Sequence, residues 1–300
     1  MFGKGWGFPD MKIGLIFPPQ WCPTHPYLSN PSLAAFLIEN GFEVNQKDLN
    51  IEFYSYVLRP EFLQERAQII TQRFKELDTA EYLPPELQTE YMNLFDVLSD
   101  HQIVCSQISK ALLEMRIGDF YNFKSLKKNL WLLERALKLV SLSYEKTEIT
   151  LTSFSSQYSE YSLSDIQNAI SGEQEDLMKS VLPALLQPWL DTFTPTLLGI
   201  SVTGVSQIIP AMIAGDWIKQ KYPNIHIVVG GSIITRWASD YNQLAPLFHK
   251  CFDSLIVFEG ERPLAMLARA LENNESFKTV PNLIYSEDNS ISVNSVEKPL

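Results

Sequence analysis

Short apolar runs alternate with longer amphipathic segments toward both ends of the chain. The runs are five or six residues long, are rich in Ile, Leu and Val, and lie at residues 12–17, 198–202, 225–229 and 254–258. Continuous apolar runs of this length are typical of strands that are buried on both faces of a parallel sheet. Helical spacing of apolar residues, with turn residues at the boundaries, is found at residues 30–40, 207–221 and 263–273. Strands that alternate with helices predict a parallel sheet covered on both faces.

The middle of the chain, roughly residues 51–190, follows a different pattern. Apolar residues recur there at spacings of four and three, which places them on one helical stripe: Leu126, Leu130, Leu133, Leu137 and Val140. Segments 61–78 and 86–117 are amphipathic in the same way, whereas the Ser- and Tyr-rich stretch 152–164 is predicted to be a loop. The stripe is interpreted as a seam between helices or, alternatively, as a surface for a cofactor or partner.

The predicted fold class is α/β, with a doubly wound, flavodoxin-like parallel sheet of about five strands. An all-helical insertion follows strand 2, and the chain ends in a β-hairpin that turns through Glu287-Asp288-Asn289. In this division residues 1–50 and 191–300 form the α/β domain, and residues 51–190 form the insertion. Because the insertion leaves the carboxyl end of a strand, we expect it on the ligand side of the sheet. It would there cover a bound ligand or contact a substrate.

Composition limits the class of partner. The 300 residues are 45% hydrophobic and 20% charged, and they carry a formal net charge of −11. That charge disfavours nucleic acid and anionic membrane surfaces as partners. No stretch reaches the roughly 20 apolar residues that cross a bilayer, and the cysteines are odd in number and far apart: Cys22, Cys105 and Cys251. We expect a cytoplasmic protein.

Ligands of open parallel sheets bind beyond the carboxyl ends of the strands. Two groups of residues at such positions are candidates for binding a ligand. Gly230-Gly231 would let the backbone approach a bulky ligand, or would form a plain tight turn. Ser201 and Thr203 would hold a ligand through their hydroxyls, or would cap the following helix. The residues alone leave both pairs of alternatives open.

Other chemistry is sparse in the sequence. Glu259 and Glu261 flank a glycine after a strand, where glutamates act as acid–base groups or, more often, accept hydrogen bonds from amides or ligand hydroxyls. The four histidines have no metal-ligand spacing, and the chain has no phosphate-binding glycine loop of the common kinds. We therefore assign no catalytic residue and no protein metal ligand.

The combination of these elements resembles the cobalamin-binding domain of cobalamin-dependent radical SAM proteins. Gly230-Gly231 begins 29 positions after Ser201, with one helix and one strand between them. In that family a Ser-x-Leu element and a Gly-Gly element line the cavity for the nucleotide tail of the cofactor. Here Thr203 stands where the family has leucine.

The resemblance extends over about 160 residues on both flanks. It includes a strand with a Pro-Pro loop, a helix after Pro-x-Leu, a strand ending in Asp, a Gly-Glu element and a final hairpin: residues 12–19, 30–33, 40–50, 258–264 and 282–294. Other cobalamin domains carry Asp-x-His-x-x-Gly after the first strand. Around His25 this chain has Pro23 and Leu28 at the flanking positions, so His25 is expected to be a loop histidine in solvent.

The resemblance implies a cobalamin bound without a protein histidine ligand. It also implies service in a radical SAM reaction, such as methyl transfer, with S-adenosylmethionine and a 4Fe-4S cluster held by a downstream C-terminal barrel. The Cys-x3-Cys-x2-Cys motif of that barrel is absent from this chain. The expected cofactor-binding residues are Pro18, Pro19, Gln20, Asp48, Ser201, Thr203, Gly204, Gln207, Gly230, Gly231, Ser232, Glu259, Gly260 and Glu261. The alternatives are a non-catalytic cobalamin carrier or sensor, and a flavodoxin-like domain that binds another planar or nucleotide ligand.

Overall fold

The computed structural model describes residues 11–118, 121–287 and 290–297. Its strands are β1 (Lys12–Phe17), β2 (Glu43–Asp48), β3 (Glu148–Ile149), β4 (Phe154–Ser155), β5 (Leu197–Ser201), β6 (His226–Gly230), β7 (Ser254–Ile256), β8 (Leu283–Glu287) and β9 (Ser290–Val293). Its α-helices are α1 (Ser29–Glu39), α2 (Leu49–Val57), α3 (Pro60–Asp78), α4 (Pro85–Leu98), α5 (His101–Ile117), α6 (Phe123–Leu142), α7 (Leu163–Ser171), α8 (Leu177–Phe193), α9 (Ile208–Lys221), α10 (Ser232–Trp237) and α11 (Glu261–Asn273).

The protein is an α/β protein with a mostly parallel sheet of seven strands. The strand order is β2-β1-β5-β6-β7-β8-β9. The first five strands in this order pair in parallel, and β8 and β9 add to the edge in antiparallel pairing. The sequence predicts about five parallel strands and a separate hairpin. In the structure the hairpin belongs to the same sheet, because β8 pairs with β7.

Apolar side chains cover the sheet face on which α1 and α11 lie. Each fully buried Leu or Ile side chain contributes about 1.5–3 kcal/mol relative to an exposed one. The buried cluster includes side chains from β1, β5, β6 and both helices: Ile13, Leu15, Leu37, Leu197, Val228, Leu264 and Leu267. Val228 and Leu264 of this cluster also line the cavity described below.

Two glycines of this α/β unit lie where neighbouring elements pack closely. A Cβ on Gly14 of β1 would lie 2.9 Å from the Trp189 ring of α8, so α8 packs directly against the strand. The Trp189 indole N–H donates to the side chain of Asn45 in β2 at 3.2 Å. A Cβ on Gly215 would overlap the backbone of Cys251. Glycine is required at Gly215, where a Cβ would overlap backbone, whereas at Gly14 a Cβ would press against side chains, with Leu198 at 2.7 Å as the nearest.

Contacts between Cα atoms divide the chain into two compact units. One comprises residues 1–50, 160–172 and 182–300, and the other comprises residues 51–159 and 173–181. The first unit thus includes α7 and most of α8, which the sequence pattern places in the insertion.

The second unit consists mainly of helices α3 to α6. The apolar stripe of α6 is buried at Leu133, Leu137 and Val140, as expected for a seam between helices. The unit also holds the antiparallel pair β3–β4, so the prediction of an all-helical insertion is wrong. Residues 152–164 include β4 and the start of α7. The amphipathic stretch 86–117 is two helices, because α4 ends before Ser99.

The ends of two further elements differ from the sequence prediction. Strand β7 ends at Ile256 and not at Phe258, because Phe258 has a φ of 61°, which is incompatible with extended backbone. Helix α11 begins at Glu261, two residues before the predicted start at Pro263. The predicted hairpin turn includes Asp288 and Asn289, which lie outside the described residues. In the described part of the chain no helix combines the length and apolar character needed to cross a membrane.

Candidate functional site

A cavity of about 470 Å³ opens at the carboxyl ends of β5, β6 and β7. It lies on the sheet face that α1 and α11 cover, and all of its lining residues belong to the first unit. Its floor is formed by the sheet and by one leucine from each helix: Gly199, Ile200, Val228, Ile256, Leu33 and Leu264. Its volume is in the range of small-molecule sites, about 300–1,000 Å³.

Three small residues leave the space open. Gly199 and Ser201 lie on β5, and Gly230 lies opposite Ser201 in the register of β6. Because side chains alternate between the two faces of a strand, all three residues lie on the cavity face. A Cβ on Gly199 would lie 3.0 Å from the Leu15 side chain, and a Cβ on Gly230 would lie 3.3 Å from the Ile256 carbonyl oxygen. Larger residues at these positions would extend the apolar core into the cavity.

The two glycines after β6 have different roles. Gly231 has a φ of 119°, and a Cβ there would overlap the carbonyl of Val202. The chain also makes a tight backbone contact at this point, since Val202 N–H donates to the Gly230 carbonyl at 2.7 Å. Gly231 is therefore required by the turn itself, whereas Gly230 leaves space in the cavity. The structure thus supports the tight-turn interpretation for Gly231, and a close approach of a ligand at Gly230 stays a prediction.

Polar atoms without a partner lie at the start of α1. The hydroxyl oxygen of Ser29, which lines the cavity, is buried and has no hydrogen-bond partner among the described residues. The side-chain oxygen of the next residue, Asn30, is also buried and has no hydrogen-bond partner among the described residues. The first turn of α1 has neither an acidic residue nor a side-chain cap. Unsatisfied buried polar atoms are costly, so this end of the cavity favours a ligand with hydrogen-bonding groups.

Aromatic residues line the mouth of the cavity. Tyr27 is partly exposed and stacks on Phe17, with ring centroids 5.4 Å apart. Trp21 meets both rings edge-on. On the other side Phe258 is 53% exposed. Its left-handed backbone is unusual for a bulky residue, and its N–H donates to the Thr235 hydroxyl at 2.9 Å. The mouth thus presents rings against which a flat ligand would stack.

The acidic residues at the mouth take part in local contacts. Glu261 accepts a hydrogen bond from the Ser32 hydroxyl at 3.2 Å. The backbone carbonyl of Glu259 accepts one from the Asn282 side chain at 3.3 Å. Asn282 is buried, and its backbone carbonyl accepts from Val257. These bonds fix the backbone of the loop after β7 and tie the Glu261 carboxylate to the start of α1.

Half of the residues predicted from the sequence line the cavity. The structure brings together Ser201, Gly230, Gly231, Ser232, Glu259, Gly260 and Glu261. The residues that do not line it are Pro18, Pro19, Gln20, Asp48, Thr203, Gly204 and Gln207. Asp48 is exposed at the end of the edge strand β2.

Gln207 holds two loops together and does not face the cavity. It is fully buried, and its side-chain oxygen accepts from the N–H groups of Thr203 at 3.0 Å and Gly204 at 2.9 Å. Its side-chain amide donates to the Pro18 carbonyl at 2.8 Å. The loops after β1 and β5 are thereby joined below the surface. This explains why the Pro-Pro loop and the Thr-Gly pair are buried or half-buried.

Asn50 has a similar positioning role for the loop after β1. Its side-chain oxygen accepts from the N–H groups of Gln20 at 3.2 Å and Trp21 at 3.0 Å. Gln20 has a φ of 78°, and the two bonds hold this turn in place. As a result Trp21 is directed to the aromatic group at the mouth.

Sequence reasoning missed several residues of the cavity. They are Tyr27, Ser29, Leu33, Gly199, Ile200, Val228, Thr235, Arg236, Ile256, Phe258 and Leu264. Gly199 had a usable signal, because glycine inside an apolar strand often marks a close approach of a ligand or backbone. The others look like ordinary core or loop residues, and only the folded structure places them together.

The histidines do not form a metal site at this cavity. Within the described ranges no group of three His, Cys, Asp or Glu side chains could hold a metal ion. His25 is exposed in the loop after β1 and does not line the cavity. His226 lies at the opposite end of the sheet, with its Nε2 2.8 Å from the Ser254 hydroxyl. Burial lowers the pKa of His226 to about 4, so this imidazole is neutral at physiological pH.

Comparisons of the chain with models of protein families, with curated proteins and with solved structures found no match. The cavity is lined by small residues, hydroxyl groups and two glutamates, with aromatic rings at its mouth.

Proposed function

We propose that this protein binds cobalamin in the cavity at the carboxyl ends of β5 to β7. The observation that carries the proposal is the space left by Gly199, Ser201 and Gly230 between the sheet and the two covering helices. Ser201 of the Ser-x-Leu-like element and both residues of the Gly-Gly element line this space, whereas Thr203 does not; the shared lining supports the resemblance to cobalamin domains of radical SAM proteins. The nucleotide tail of the cofactor would enter the space.

The strand order supports a flavodoxin-like fold for the α/β unit. Counted within the sheet alone, the parallel strands run 2-1-3-4-5, the order of flavodoxin-like domains. In such domains ligands bind at the carboxyl edge near the point where the strand order reverses, which here lies between β1 and β5. The loops after these two strands are the ones that Gln207 joins.

The chemistry of the cavity fits the two parts of the cofactor. A Cβ at Gly230 or Gly199 would take up space that the tail needs, and the unpartnered Ser29 hydroxyl would bond a polar group of the tail. The corrin ring is too wide for the cavity and would lie across its mouth, against Tyr27 and Phe258. The described residues that line the cavity include no histidine, and a cobalt without a protein histidine ligand stays what the resemblance implies.

We extend the proposal to service in a radical SAM reaction, such as methyl transfer, on the sequence resemblance alone. Cobalamin would supply the methyl-group or radical chemistry, and this chain would hold and orient it. S-adenosylmethionine and the 4Fe-4S cluster would belong to a separate barrel domain.

The test is stoichiometric capture of a corrinoid by the purified chain. The protein is incubated with hydroxocobalamin, desalted and examined by visible spectroscopy, with Gly230→Val and the exposed Ala35→Val as a matched pair. We expect one corrinoid per chain for the native protein and for Ala35→Val. For Gly230→Val we expect at least a tenfold loss of affinity, because its methyl groups occupy the cavity, and a modestly lowered thermal midpoint, because its Cβ lies 3.3 Å from the Ile256 carbonyl oxygen.

Three outcomes would change the interpretation. No corrinoid band in the native protein refutes cobalamin binding. An undiminished corrinoid band with Gly230→Val would mean that the cofactor binds at another site. Binding of FMN or another nucleotide in competition with the corrinoid would favour the alternative flavodoxin-like ligand.

A further inference from the structure

The turn between α5 and α6 exposes a cluster of large apolar side chains. Ile117 is 76% exposed, Tyr121 99% and Phe123 74%. Leu113, one turn before Ile117 on α5, is 55% exposed. We call these four residues the apolar tip. Folded proteins rarely expose several neighbouring large apolar side chains unless the surface binds a partner or a membrane.

Lysines surround the apolar tip on the first turns of α6. Lys124, Lys127 and Lys128 are exposed. Spacings of three and four residues place Phe123, these lysines and the 41% exposed Trp131 on one helical face. Aromatic rings interspersed with lysines are typical of surfaces that lie at the headgroup level of a bilayer.

The local charge is opposite to that of the whole chain. Residues 110–131 hold five basic and two acidic residues, although the chain as a whole carries −11. One of the two acids, Glu114, is already engaged with Lys110 at 3.7 Å and with the Asn129 amide at 2.9 Å. Charges more than about 8–10 Å apart are largely screened at physiological salt. Basic residues outnumber acidic ones around the tip, although the chain as a whole is acidic.

The apolar tip is held by ordered structure. The Asn122 side chain accepts from the Ser125 N–H at 3.2 Å and so caps α6. The bond between Asn129 and Glu114 joins the two helices close to the turn. Leu113 and Ile117 on α5 and Phe123 on α6 are therefore presented by two joined helices.

We propose that the apolar tip inserts into an anionic lipid surface, with the lysines of α6 against the lipid headgroups. This inference is independent of cobalamin binding, and it departs from the expectation of no membrane partner that follows from net charge. Apolar and aromatic side chains alone would fit a protein partner equally well. The three lysines beside them favour the anionic bilayer.

Flotation with lipid vesicles tests the proposal. The protein is mixed with phosphatidylcholine vesicles that either contain or lack phosphatidylserine, at low and high salt. We expect flotation with the anionic vesicles only, weakened by salt. Joint replacement Lys124→Gln, Lys127→Gln and Lys128→Gln should lower partitioning about 100-fold, from the usual strength of three basic residues at an anionic surface.

The apolar contribution is tested separately with two exposed positions. Ile117→Ser with Phe123→Ser should lower partitioning at least tenfold, whereas Tyr82→Ser, 73% exposed in the same unit but outside the tip, should not. Thermal melting checks that each variant is folded. Equal flotation with neutral and anionic vesicles, or native-like flotation of both tip variants, overturns the proposal. So does a dimer in light scattering that the Ile117/Phe123 variant dissociates, because a second copy then covers the tip.

Discussion

His226 should make the stability of the fold depend on pH between about 4 and 6.5. The imidazole Nε2 lies 2.8 Å from the Ser254 hydroxyl, and the ring meets Phe277 edge-on. Burial is the largest cause that lowers its pKa from 6.5 to about 4; Asp253 opposes the shift, and Lys219 and His249 add to it. The native state therefore binds fewer protons than the unfolded chain in this range.

The sign and size of the effect follow from proton linkage. A lowered histidine pKa gives stability that is fully present above pH 6.5 and is lost as the pH falls toward 4. The gap between the two pKa values corresponds to about 3 kcal/mol when integrated. About 1 kcal/mol of it should be lost at pH 5.5, and about 2–3 kcal/mol at pH 4.5.

Urea unfolding of the native protein and of His226→Gln measures the effect. The variant keeps a side chain able to bond Ser254 but cannot take up a proton in this range. The carboxylates contribute equally to both proteins, so the difference between the two free energies of unfolding isolates His226. This difference should change by about 2–3 kcal/mol between pH 7.5 and pH 4.5. Parallel curves for the two proteins would refute the argument that a neutral imidazole is buried here.

Three substitutions test other parts of the structure by urea unfolding. Gln207→Leu should cost about 2–4 kcal/mol, because it leaves the N–H groups of Thr203 and Gly204 and the Pro18 carbonyl without their partner. A cost below about 1 kcal/mol would contradict the role of Gln207 between the loops. Gly231→Ala should cost about 2 kcal/mol or more, and Gly230→Ala only about 1 kcal/mol. Gly231 has a positive φ and a Cβ there would overlap the Val202 carbonyl, whereas a Cβ on Gly230 would lie 3.3 Å from the Ile256 carbonyl oxygen. Equal costs would refute that distinction. Arg66→Met should cost less than the joint removal of its two partners, Glu65 and Glu175, which should cost about 3 kcal/mol. The guanidinium is buried whereas both carboxylates are exposed, so removal of the glutamates leaves a buried charge without a partner. The reverse order of the two costs would count against this reasoning.

The local spacing of apolar residues was sufficient to predict most strands and helices of the α/β unit. The apolar run at residues 12–17 and the periodicity of α6 each depend on neighbours along the chain, so they can be read without the fold. The end of β7 could not be read in this way. Phe258 is a good strand residue by type, and only the packing around Thr235 holds it in a left-handed conformation.

The sequence by itself determined the α/β class and two of the three small residues that leave the cavity open, Ser201 and Gly230. The tertiary structure decided which of them share a space: Gly199, Ser201 and Gly230 meet because β5 and β6 pair in one particular register. It also showed that Gly230 leaves space in the cavity whereas Gly231 is required by the turn. Only the folded structure places the Gln207 side chain between two loops, where it bonds to both. The physical reason is that periodicity depends on local backbone geometry, whereas a cavity depends on distances between segments that are far apart in the chain.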